Sequence, residues 1–528
     1  MLEKFFNKIL DEDEKEIEKE EKRESKTGAR FSWKDLILPL VVFFIALLPR
    51  LFFLFANDPQ NAGPNWYGDV YHHWQIAYLS KEIGFKQEFL RLWDLKGMEY
   101  FWGLLHPLVL ALLFTITRSV DILIPRFLSI FCGSGVVTLL FIIVRRYFGR
   151  LTALVVAVWA AFFPVLVYTD SLGMQDQLAF LVLLLGIYFW PKKPALTGIF
   201  LGLAAMGRAE YWLFGLGLIL ATFIIERDFD KNVVAFASWF IISLLYMKYL
   251  LDKTGNPIYP LWWNYLAHVV GEWQVIKPLS ADALVGKRVF QAVFGMGMVG
   301  ALFTFWKRPK AYLLFLLGFG SLIFNGFFFG FTAYIYAWVN RYYVDRLLNL
   351  PYIFLGFLLA IVFVYFLGQK IKFWSKLKLG VVVVLVLLVG SQFLFWKPIM
   401  FYFRIAQEGW PQEANLAVRV AKYYQGGKIL IPEDRAPFTY ALVRFHQVKG
   451  ENIVGQMFDP YYYMEEDPYQ NWPRNREKVL SWLKEEEIRL IAFYKDRERY
   501  QQLVKRESQH FELKEKTEFL EIYQVKGL

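Results

Sequence analysis

The stretch Leu139-Leu140-Phe141-Ile142-Ile143-Val144-Arg145-Arg146-Tyr147-Phe148-Gly149-Arg150-Leu151-Thr152-Ala153-Leu154-Val155-Val156 decides the fold class. An apolar run closes on two arginines, turns through an aromatic residue, a glycine and a third arginine, and becomes apolar again at once. Apolar runs of about 17–25 residues are long enough to cross about 30 Å of hydrocarbon as helices, and short basic connectors between them are cytoplasmic loops. The alternation recurs: Lys192-Lys193, Lys307-Arg308 and the segment from Lys370 to Lys378 each separate two apolar runs. Strands of a membrane barrel would be about 10 residues long and would alternate in polarity, which these runs do not.

Composition agrees with the runs. With 56% hydrophobic and 19% aromatic residues, the chain is too apolar for several ordinary soluble domains. The formal charge of +11 falls largely in the connectors, so it follows the positive-inside pattern and no nucleic-acid partner is expected. Cys132 is the sole cysteine, which excludes intrachain disulfides and multi-cysteine zinc sites.

Eleven spans are expected, at about 36–56, 123–144, 152–168, 174–190, 195–208, 211–225, 233–251, 289–305, 311–330, 347–367 and 379–396. Counting 101–117 as a twelfth would put the Arg145–Arg150 and Lys192-Lys193 turns outside, so that stretch is expected to lie at the outer interface. The division that follows is a charged cytoplasmic tail over 1–36, a transmembrane domain over 37–396, and a small soluble α/β domain over 397–528 on the outer side. The tail is not a cleavable signal, because the first apolar run begins only near Leu36 and no small-residue cleavage site follows. Two outer loops are long, 57–121 and 252–287, and the aromatic residues of the second suit an interfacial belt or a sugar platform.

The first loop carries Gly68-Asp69-Val70-Tyr71-His72-His73-Trp74-Gln75-Ile76-Ala77-Tyr78-Leu79. The pattern from Tyr71 predicts a short amphipathic helix lying on the membrane, with Asp69 where a carboxylate favourably meets the amide end. Capping alone accounts for an Asp there. A second acidic segment, Tyr168 to Leu178 with Asp170 and Asp176, emerges on the same side, and acidic residues at a span boundary are either solvated caps or site residues. Met206-Gly207-Arg208-Ala209-Glu210 joins two spans on that side as well. An arginine at that depth is costly unless paired, so a local pair with Glu210 competes with a lipid phosphate. Asn340-Arg341-Tyr342-Tyr343 supplies a further cation near the outer end of the tenth span.

On these residues the chain resembles the GT-C superfamily of membrane glycosyltransferases, in particular the protein O-mannosyltransferases and the lipid A aminoarabinose transferases. Asp69, Tyr71 and Ala77 follow that group's Asp, aromatic and Ala-x-x-Leu layout, with the leucine one residue early at Leu79 and Ser80 in its place. His106-Pro107-Leu108 is similar to the Pro-containing entry of its juxtamembrane helix, although the usual second proline is Leu108. Arg126 and the Arg145 to Gly149 turn match the start and end of its second span, while no Asp-Glu pair follows Gly68. Trp262-Trp263-Asn264-Tyr265 is similar to a Trp-Trp-Asp-Tyr motif of oligosaccharyltransferase catalytic subunits, but it has Asn for Asp and lies between spans, so that subgroup is set aside.

The resemblance covers most of 37–396 and implies a polytopic GT-C-like fold with outer juxtamembrane helices. It implies transfer of a sugar from a polyprenyl-phosphate donor to a glycan, lipid or protein acceptor at the outer face of the cytoplasmic membrane. Asp69 and Asp176 would be the catalytic carboxylates, with Arg208, Arg341, Asp170, His106 and Glu210 around the substrate. An Asp near the membrane surface can take the acceptor's proton, and a phosphate leaving group needs Arg, Lys or a divalent ion against its growing charge. Asp69, Asp176 and a histidine such as His73 would hold Mg²⁺ or Mn²⁺ mainly through oxygen ligands. His72 and His73 point to different helix faces, so at most one joins a site, and a satisfied interfacial histidine is the plainer reading of each. Two other functions compete. A transporter or flippase of polyprenyl-linked glycans should concentrate ionisable residues at mid-bilayer in broken helices, and a noncatalytic scaffold needs no convergence of Asp and Arg.

Overall fold

The first apolar run forms a helix whose two sides differ in environment. In the computed structural model the described residues are 33–56, 69–82, 98–190, 192–266, 410–432, 436–455 and 466–527, with scattered positions within 295–386 and 460–464. Among the described residues, the helices of seven residues or more that begin before residue 259 are α1 (Trp33–Ala56), α2 (Asp69–Glu82), α3 (Leu105–Thr117), α4 (Leu123–Phe162), α5 (Pro164–Asp170), α6 (Asp176–Phe189), α7 (Pro194–Ala205), α8 (Glu210–Glu226) and α9 (Phe229–Thr254). Along α1, Ile37, Leu40, Phe44, Leu48, Phe52 and Phe55 are exposed, whereas Val42, Ala46, Arg50 and Leu54 are buried at i, i+4 spacing. An apolar stripe of that length turned outward faces hydrocarbon, and the chain is an integral membrane protein.

Among the described residues, Leu36–Ala56, Leu123–Phe162 and Phe229–Thr254 are long and apolar enough to cross a membrane. The 40 residues of α4 are two arms, because Gly149 breaks the helix at φ 80° and ψ 173°. That break falls in the Arg145–Arg150 turn, where the sequence separates its second and third spans. The expected spans at 289–305, 311–330, 347–367 and 379–396 lie almost entirely outside the described residues, as does the charged tail before residue 33.

Helix α7 lies against α9 at close range. A Cβ on Gly198 would fall 2.1 Å from the Ala235 carbonyl oxygen, and one on Gly202 would fall 2.7 Å from the Ile242 side chain. Small residues four apart let helix backbones approach in a membrane, where dispersion rather than the hydrophobic effect holds them together. At one end of these helices the Arg146 guanidinium lies 5.4 Å over the Tyr188 ring, and Trp190 Nε1 donates to Glu226 at 2.9 Å. The Arg145–Arg150 and 190–193 turns therefore share an end, and Arg126, Asp170 to Asp176 and Met206 to Glu210 occupy the other.

The chain folds as two compact units: 1–59, 101–106 and 125–403 form the first, and 60–100, 107–124 and 404–528 the second. Helix α2 and residues 107–121 of the expected outer loop belong to the second unit. In the second unit, α10 (Trp410–Tyr423), β1 (Lys428–Leu430), α11 (Ala436–His446), β2 (Ile453–Val454), α12 (Trp472–Glu485), β3 (Ile488–Tyr494), α13 (Glu498–Arg506), β4 (Phe511–Lys516) and β5 (Leu520–Val525) make an α/β domain. Its sheet runs β2-β1-β3-β5-β4, with parallel pairing of β1 to β2 and β3 and antiparallel pairing of β5 to β3 and β4. Strand β3 is buried at every position except Arg489, as a central strand covered on both faces should be.

Helix α2 corrects the expectation of an amphipathic helix on the membrane. Every residue from Val70 to Ser80 is buried. The face formed by Tyr71, Trp74 and Tyr78 is covered by α11 and the turn after it, so aromatic spacing that suits an interface is used for packing between protein segments.

Candidate functional site

Three turns and the beginning of α4 meet at the end of the first unit opposite the basic turns. Gly103 takes φ +85°, and a Cβ there would lie 2.3 Å from the Met206 carbonyl oxygen. Only glycine fits that approach. The Leu105 amide then donates to the same oxygen at 3.1 Å, fixing the entry of α3 on the α7–α8 turn and bringing His106 beside it.

Arg208, in that turn, donates through Nη1 to Asp176 Oδ1 and through Nε to Glu210 Oε1. These three side chains are 16–17% exposed, so they are set in the wall of the unit without being sealed inside it. The local pair expected with Glu210 is present, and Asp176, 32 residues away, is a second partner. His106 is buried and lies within electrostatic reach of Asp176. Burial holds its imidazole down at about 4 against the pull of that carboxylate, so at neutral pH it offers a hydrogen bond and no charge.

Asp170 is set deeper. Arg50 Nε donates to its Oδ2 at 2.7 Å, and Arg50 Nη1 donates to the carbonyl oxygens of Ala46 at 2.6 Å and Ala161 at 3.1 Å. Both side chains are almost wholly buried. Beside them Ser129 Oγ donates to Gln177 Oε1 at 3.2 Å. Sequence reasoning passed over Arg50, although a cation inside an apolar span is itself a signal that a buried partner exists elsewhere.

The first unit therefore brings together His106, Asp170, Asp176, Arg208 and Glu210. Asp69 is the first residue of α2 in the second unit, and His73 is buried one turn further along that helix. Arg341 lies outside the described residues. Among the described residues no group of three His, Cys, Asp and Glu side chains is placed to hold a metal ion, and one Asp176 oxygen accepts from the Arg208 guanidinium.

No family model and no curated protein sequence matches the chain. Solved structures do match it in fold. ArnT from Cupriavidus metallidurans in the apo state superposes with a TM-score of 0.53 at 13% identity, covering 93% of this chain and 96% of that one. The same protein bound to undecaprenyl phosphate gives 0.51 at 14% identity, over 93% and 97%. Archaeal oligosaccharyltransferase AglB from Archaeoglobus fulgidus, in complex with an inhibitory peptide and a dolichol-phosphate, gives 0.51 at 12% identity, over 88% and 70%. Both proteins are GT-C membrane glycosyltransferases. This chain has the GT-C fold. The likeness extends to an oligosaccharyltransferase as well as to ArnT, so the GT-C fold by itself does not select an acceptor.

Proposed function

We propose that this chain transfers a sugar from a polyprenyl-phosphate-linked donor to an acceptor hydroxyl or similar nucleophile at the outer face of the membrane, with inversion at the anomeric carbon. The observation that carries the reading is the partly exposed Asp176–Arg208–Glu210 group at one end of a GT-C fold, at the opposite end from the basic turns. The fold neighbours bound to undecaprenyl phosphate and to a dolichol-phosphate support a donor of that chemical class.

In this reading Asp69 takes the acceptor's proton as its oxygen attacks the anomeric carbon, and the bond from that carbon to the phosphate oxygen breaks on the opposite side. Negative charge grows on the departing phosphate. Arg208 meets it with a guanidinium whose orientation Asp176 and Glu210 fix, and Arg341 is the second cation. Because charge on the phosphate rises along the reaction, a fixed guanidinium favours the transition state over the bound donor. Neutral His106 serves as a hydrogen-bonding group beside Asp176, and Asp170 acts as a brace through Arg50.

Asp69→Asn tests the reading, because asparagine keeps the size and capping ability of the side chain and removes its basicity. Membranes containing the variant should take up radiolabelled sugar from polyprenyl-phosphate donors on the order of 10²-fold more slowly at saturating donor. A near-normal rate would defeat Asp69 as the base.

A further inference from the structure

The helix that begins at Asp69 is short, mixed in polarity and buried at every position from Val70 to Ser80. A helix of 14 residues has little stability of its own, so its position is set by what it packs against. Within the second unit, that partner includes the C-terminal domain. The Tyr440 ring, on α11, stands edge-on to Trp74 at 4.9 Å and tilted against Tyr71 at 5.5 Å. Tyr71 and Trp74 are one helical turn apart, and Trp74 in turn stacks on Tyr78 at 5.0 Å.

Hydrogen bonds complete the clasp at both ends of this aromatic row. The Tyr440 hydroxyl accepts from the Ile122 amide at 3.2 Å, and the Tyr78 hydroxyl accepts from the Gly450 amide at 3.2 Å. Trp74 Nε1 donates to the Val120 carbonyl oxygen at 2.6 Å, and Arg444, also on α11, donates to Asp121 at 3.0 Å. One ring thus touches two turns of α2 while its hydroxyl holds the chain that enters α4. Rotation or sliding of α2 would break the ring contacts and these bonds together.

We infer that Tyr440 is a positioning residue: through it the C-terminal domain sets the axial position and rotation of α2, and so places Asp69 for proton transfer. This rests on the proposed role of Asp69 as base. A misplaced base slows the chemical step while leaving donor recognition intact, because proton transfer is steep in distance.

The test is a double-variant cycle on the full-length protein in membranes, using undecaprenyl phosphates carrying radiolabelled sugars as donors. Tyr440→Ala should lower apparent kcat by about tenfold or more and leave the donor KM within about twofold. Tyr440→Phe, which keeps the ring and frees the Ile122 amide, should lower kcat by roughly threefold. It carries the comparison if the alanine variant does not accumulate in folded form. In an Asp69→Asn background both losses should shrink below about twofold, since a base that is absent cannot be misplaced. Equal losses in the two backgrounds, or a rise in KM with unchanged kcat, would overturn the positioning role and leave Asp69 standing. Near-normal transfer by Asp69→Asn alone would instead remove the base assignment, and this inference with it.

Discussion

Arg50 sits on the inward stripe of a helix whose other side faces lipid, and burial of its charge is tolerable only with a counter-ion in contact. Removing one partner of such a pair strands the other, at about 3–5 kcal/mol, whereas replacing both with apolar residues of similar size is close to neutral. Arg50→Ala should therefore unfold at a clearly lower temperature in detergent, and Arg50→Met combined with Asp170→Leu should recover most of that loss. If Asp170 only braces the turn before α6, the double variant also retains transfer; a folded but inactive double variant would return Asp170 to the substrate. Asp176, Arg208, Glu210 and His106 were legible in the sequence because charged and polar residues between apolar runs stand out. The Arg50–Asp170 pair was not, since its members are 120 positions apart and nothing local couples them.

At the scale of elements, the approach of α7 to α9 depends on the missing side chain of Gly198. Any Cβ there would fall on backbone, which cannot swing away. Gly198→Ala should lower stability by about 1–3 kcal/mol as the helices separate. Gly217→Ala, in α8 with nothing within 4 Å of its Cβ position, should be neutral or slightly stabilising in the same thermal assay. In the second unit, Arg476 on α12 donates to both Glu507 oxygens at 2.7 and 2.9 Å, and Trp472 Nε1 donates to one of them at 3.1 Å. The Arg476 hydrogen bonds, reinforced by that of Trp472, hold the Glu507 carboxyl below its ordinary value. The folded state therefore binds this proton less readily than the unfolded chain. Stability from Glu507 is present above the ordinary carboxylate range and is lost as pH falls through the depressed value. Glu507→Gln should flatten the acid limb of thermal stability for the second unit, measured on the full chain, and leave the profile near neutrality parallel. The α/β character of this domain follows from composition and period, but the order β2-β1-β3-β5-β4 needs the sheet itself, because strand neighbours are chosen by crossovers that periodicity does not encode.

At the scale of the whole molecule, helix α2 and the C-terminal α/β domain belong to one folded unit. The Arg145–Arg150 and 190–193 turns share an end of the first unit, and the positive-inside pattern predicts a cytoplasmic location for both. Reporters inserted after Arg150 and after Lys193 should read cytoplasmic, and one fused after Leu528 extracytoplasmic. A cytoplasmic reading at Leu528 would reverse the parity and put the proposed site on the wrong face. The sequence alone determined that the chain lives in lipid and that an α/β segment follows the apolar runs. Those properties depend on hydrophobicity, charge and period, all of which are local. Only the tertiary structure decided that α2 is clasped by Tyr440 rather than laid on the membrane, that Asp170 belongs to Arg50, and that Arg208 is shared by Asp176 and Glu210. Each of these is a pairing between distant segments, selected by burial and by the need of a buried charge or hydrogen-bonding group for a partner.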